Sequence, residues 1–110
     1  MSVFDPEMPV EFRGLSGSQR FYEMLWGAAI THHSKNRDYA TQEDPFKNFR
    51  VGECLGIPAY RMALLRLLEK AARVTNLESK DDVPATTESV EDTLLDLAVL
   101  ALITIVLRQQ

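Results

Sequence analysis

The chain has 110 residues, 45% of them hydrophobic and 25% charged, with a formal net charge of −4. That length suits one domain with a real but small core. The balance of 12 Lys and Arg against 16 Asp and Glu argues against attraction to a nucleic-acid backbone, so direct DNA binding is not expected.

Cys54 stands alone, which excludes an internal disulfide and a cysteine-rich zinc site and points to a reducing, cytoplasmic setting. Asp5 and Glu7 near the N-terminus, without a basic head or apolar run, do not read as a signal peptide. The apolar run 97–107 (LAVLALITIVL) falls short of the roughly 18 residues that a membrane span needs. No membrane partner is therefore expected.

In chain order, residues 1–15 carry Pro6, Pro9 and Gly14 and read as an extended arm, with residues 16–110 as the folded domain. Ser16 or Ser18 can cap a first helix over about 17–36, because a Ser oxygen accepts from the free amides of an opening turn. Phe21, Leu25, Ala28, Ala29 and His32 follow the offsets of one helical face. Asp44-Pro45 predicts the start of a short second helix, with Pro where no amide is missed and with Phe46, Phe49 and Cys54 facing inward. Gly56-Ile57-Pro58 is a sharp connector.

A third helix is predicted from Pro58 to about Asn76, dense in Leu, Ala and Met. Residues 77–87 read as a polar linker, and Thr87 as the N-cap of a last helix whose first turn carries Glu88, Glu91 and Asp92 at the positive dipole end. No β-alternation competes. The expected fold is all-α, a bundle of three main helices and one short one. After Asp96 the last helix is apolar on nearly every side, where a surface helix would show a polar face. In so small a domain such a helix predicts a subunit interface and a homo-oligomer.

Two rows of charge stand out. Glu88, Asp92 and Asp96 recur every four residues and share one helix face. An ionised carboxylate beside an apolar run is costly unless a cation meets it. Arg66, Lys70 and Arg73 fall at i, i+4 and i+7 on the third helix and form a basic row. The acidic row is open to three readings: metal ligation, pairing with the basic row across the helix packing, or a solvated face. The basic row is either a phosphate clamp or one side of an ion-pair ladder.

Lys35, Asp38 and Tyr39 sit where a helix is expected to end and the chain to turn, a place for ligand contacts or for a C-cap. His32 and His33 are neighbours on a helix and point in different directions, which disfavours shared ligation of a metal. Trp26, Phe46 and Phe49 are read as core rather than base-stacking residues, and Cys54 as a small buried hydrophobe.

The motif series Lys35, Asp38, Tyr39; Pro45, Phe46, Asn48, Phe49; Arg66, Glu69, Lys70, Arg73; and Glu88, Ser89, Asp92, Thr93, Asp96 covers about residues 30–107. It resembles the nucleotide modification-associated domain, a group common in bacteriophages and related to the all-α MazG-like NTP pyrophosphohydrolases. The resemblance implies an oligomeric helical bundle that handles nucleotides, with Lys35, Asp38, Tyr39, Arg66, Lys70 and Arg73 toward the nucleotide. It also implies Mg²⁺ on Glu88, Asp92 and Asp96, a hard cation suited to carboxylates and phosphate oxygens.

The catalytic relatives carry a further Glu-x-x-Glu pair on the preceding helix, and this chain has none there. Nucleotide binding is thus better supported than hydrolysis. The expectations are a phage-type protein that binds a phosphorylated nucleotide, with pyrophosphohydrolase activity as its enzyme version, or a non-catalytic sponge for cyclic or modified nucleotide immune signals in a host cytoplasm. A structural protein whose charged rows pair with each other is the third.

Overall fold

The computed structural model describes residues 7–39, 44–79 and 89–110, without the side chains of 36–39. The described chain is predominantly helical and contains no strand, as expected. It forms two compact units, Met1–Pro45 and Phe46–Gln110.

The first unit holds α1 (Val10–Arg13) and α2 (Gln19–Tyr39). A single helical turn thus interrupts the arm expected to be extended. Pro9 sets its start, its carbonyl accepting from the Phe12 amide at 3.0 Å, and Gly14 ends it. Phe12 then lies 6.1 Å from the Tyr22 ring and edge-on to Trp26 at 6.2 Å.

Between the helices Gly17 takes φ 106°, a conformation that suits glycine, and the Tyr22 hydroxyl donates to the Ser16 carbonyl at 2.7 Å. Ser18, one of the two expected caps, accepts from the Phe21 amide at 3.1 Å. The helix runs past the expected end to Tyr39. Its expected apolar face is mostly open: Ala28 is buried and His32 half-buried, but Phe21, Leu25 and Ala29 are exposed.

The second unit replaces the expected short α-helix with two 3-10 turns, Lys47–Phe49 and Glu53–Leu55. The tighter three-residue turn buries Phe46 and Phe49 together, as expected, but turns Cys54 outward. That thiol is exposed and donates to the Val51 carbonyl at 3.7 Å, so the reading of a buried cysteine is corrected. Gly56 closes the second turn at φ 78°, the left-handed stop that glycine supplies. Pro58 stands just outside α3 (Ala59–Glu78), whose last turn takes in Leu77 and Glu78 from the expected linker.

The last helix, α4 (Val90–Arg108), starts two residues later than expected. Its N-cap is Ser89, whose hydroxyl accepts from the Asp92 amide at 3.0 Å. Thr87, the expected cap, lies outside the described residues.

Helices α3 and α4 run antiparallel, since Tyr60 meets Arg108 at one end and Lys70 meets Asp96 further along. Ala59 and Ala63 on α3 and Thr93 and Thr104 on α4 are buried, and side chains this small let two backbones approach closely. Each threonine satisfies its hydroxyl within its own helix, Thr93 on the Ser89 carbonyl at 2.9 Å and Thr104 on Leu100 at 2.7 Å. Leu100, Leu107, Phe46 and Phe49 complete the core, with Tyr60, Met62, Leu67 and Ile103 packed against it. No described helix is long and apolar enough to cross a membrane.

Candidate functional site

Three of the six residues expected at a nucleotide stand on α3, and each has a different setting. Lys70 is half-buried and donates from Nζ to Asp96 Oδ2 at 3.0 Å, with side chains 29% and 34% exposed. The basic and acidic rows therefore do face each other across the α3–α4 packing, at this pair. In a setting drier than bulk water the attraction is stronger, and the desolvation of both groups offsets part of it.

Arg66, one turn earlier, is half-buried. Its guanidinium carbon lies 4.7 Å from the Phe49 ring centroid and its Nη2 donates to the Asn48 carbonyl at 3.4 Å. The cation thus stacks on an aromatic face, tying the first 3-10 turn to α3. Arg73, one turn after Lys70, has an exposed side chain.

Of the acidic row, Asp92 is exposed in the first turn of α4 and Asp96 is the partner of Lys70, while Glu88 lies outside the described residues. Among the described residues no group of three or more His, Cys, Asp or Glu side chains is placed to hold a metal ion. An ammonium already sits at 3.0 Å from Asp96, so a cation bound there would have to displace it.

Lys35 is exposed on α2, in the other unit. Asp38 and Tyr39 fall in the last turn of α2, inside the helix instead of beyond it, and their side chains lie outside the described residues.

Two arrangements were not anticipated. The Ser89 cap carried a readable signal, since Ser89-Val90-Glu91-Asp92 has the spacing of a hydroxyl followed three residues later by an acid. The second is a cationic junction at the other end of the hairpin. Arg61 Nε donates to the Tyr60 hydroxyl at 3.2 Å, and Arg108 lies 5.4 Å from the same ring. The hydrogen bond from Arg61 first, and its charge next, hold the Tyr60 phenol below its ordinary value of 10.0, with a smaller contribution from Arg108. No local motif announces it, because Tyr60 and Arg108 meet only through the hairpin. Nearby, Arg50 Nη2 donates to Gln110 Oε1 at 3.0 Å.

Set against family models, curated proteins and solved structures, the chain has no match.

Proposed function

We propose that this protein binds a phosphorylated nucleotide through the cationic row Arg66, Lys70 and Arg73 of α3, and that it binds without turnover. The supporting observation is that Arg66 is already held in place by two uncharged groups, the Phe49 ring and the Asn48 carbonyl, whereas an anion at Lys70 has to compete with Asp96. A preorganised cation loses less side-chain entropy when an anion arrives. Arg73 adds an exposed charge at the end of the row. The chain assembles as an oligomer through the apolar surface of α4. By the resemblance above, the ligand is a nucleotide of phage–host chemistry, with a cyclic or modified signalling nucleotide as the sponge form of the same reading.

Binding is preferred to hydrolysis because Lys70 occupies Asp96. The hydrolytic version would fall back on Glu88 and Asp92 for Mg²⁺, and Asp92→Asn would then abolish turnover. A structural role is the rival reading, favoured by that same Lys70–Asp96 contact.

One experiment separates them: thermal shift with nucleoside mono-, di- and triphosphates and cyclic dinucleotides, with and without Mg²⁺, alongside chromatography for products. The expected result is stabilisation without Mg²⁺ and without product, since a ligand that binds only the folded state raises its stability. The shift is expected to vanish in Arg73→Ala. Mg²⁺-dependent stabilisation with product would replace binding by hydrolysis. No shift with any nucleotide would leave the structural role.

A further inference from the structure

We infer that α4 pairs antiparallel with α4 of a second copy of this chain. The inference rests on the oligomer reading above and names its seam. On α4, Glu91, Leu94, Ala98, Ala101, Ile105 and Arg108 are spaced three, four, three, four and three residues apart, the alternation that keeps a stripe facing a partner helix. Five of the six are exposed and Ala101 is half-buried, Leu94 and Ile105 remaining about half accessible.

The stripe is also self-complementary about its midpoint. Turned end to end, Leu94 meets the second copy's Ile105, Ala98 meets its Ala101, and Glu91 meets its Arg108. This is what an isologous two-fold contact requires. The alanines fall beside the axis, where small side chains let backbones close in. The acid lies at the N-terminal end and the base at the C-terminal end, and antiparallel pairing brings opposite charges together. A parallel pair would set Glu91 against Glu91 and Arg108 against Arg108. The seam is one helix long, about 28 Å. At a width of about 10 Å it covers roughly 300 Å² per partner, well below the roughly 800 Å² of a standard interface, so the dimer should dissociate on dilution.

The test is sedimentation equilibrium of the full chain over a wide concentration range, with circular dichroism as the check on folding. Wild type is expected to be a concentration-dependent dimer and Ala98→Glu a folded monomer. Glu91→Arg and Arg108→Glu should each weaken the dimer several-fold, and the double variant should restore it. A dimer that survives Ala98→Glu overturns the α4 seam but leaves an oligomer. Unchanged affinity in both charge variants overturns the antiparallel pairing. A wild type that stays monomeric throughout overturns the seam and the oligomer reading together.

Discussion

The described residues of units Met1–Pro45 and Phe46–Gln110 are mostly helical, yet the two units bury side chains by different means. In the second, small residues at Ala59, Ala63, Thr93 and Thr104 open the way for Leu100 and Leu107 to be buried with Phe46 and Phe49. In the first, the described contacts centre on aromatic rings, Phe12 against Tyr22 and Trp26, while Phe21 stays 61% exposed. Ala28 is the buried hydrophobic residue among those described there. Apolar residues at helical spacing thus make a face, but burial needs a neighbour that can come close.

The contrast breaks if the hairpin core does not matter. Leu100→Ala should cost about 2–5 kcal/mol, the usual range for truncating a buried leucine, read by urea denaturation followed with far-ultraviolet circular dichroism. A cost under about 1 kcal/mol would mean that α3 and α4 are not held by this core.

Helix caps sharpen it. Ser89→Ala should cost about 1 kcal/mol, because it removes the hydroxyl that accepts from the Asp92 amide at 3.0 Å at the start of a helix packed into the core. Ser18→Ala removes the matching bond from the Phe21 amide at 3.1 Å, but on a helix whose apolar face is mostly open, and should cost about 0.5 kcal/mol. Equal losses would show that the setting of the cap contributes nothing.

In the aromatic unit, Phe12→Ala should remove about 0.5–1.5 kcal/mol of ring contact beyond its buried area. It should also reduce the near-ultraviolet dichroism of Trp26, the chain's one tryptophan. An unchanged Trp26 signal would leave α1 without a packing role.

What could be read from the amino acids follows the range of the forces involved. Helix α3 was legible because Gly56 and Pro58 punctuate a dense run of helix formers, all of it local chemistry. The two 3-10 turns were not, since three residues are too few to show a period, and the outward turn of Cys54 went with them. Phe21, Leu25 and Ala28 could be placed on one face of α2, but no periodicity says what covers a face. The two charged rows were visible, and so was their chance of pairing. That Lys70 meets Asp96 depends on the register of α3 against α4, which the core sets by packing. For Asp38, Tyr39 and Glu88, whose side chains lie outside the described residues, the expected roles rest on spacing, position in the chain and the resemblance.

The smallest expected effect lies at the far end of the hairpin, where Tyr60 sits between Arg61 and Arg108. Its phenol is held below the ordinary value, chiefly by the hydrogen bond and charge of Arg61. A group whose pKa is lowered on folding favours the folded state when it is deprotonated. That contribution is complete above the unfolded-state pKa and is lost as pH falls through the lowered value, so it adds nothing near neutrality. Following tyrosinate absorbance with rising pH should therefore show one of the three tyrosines ionising early in the native chain. Arg61→Gln should move that step upward toward the ordinary range while Arg108→Gln moves it less. Coincident titrations of wild type and Arg61→Gln would mean that the guanidinium does not hold the phenol in solution, and the charge of Arg61 would then be left to the solvent.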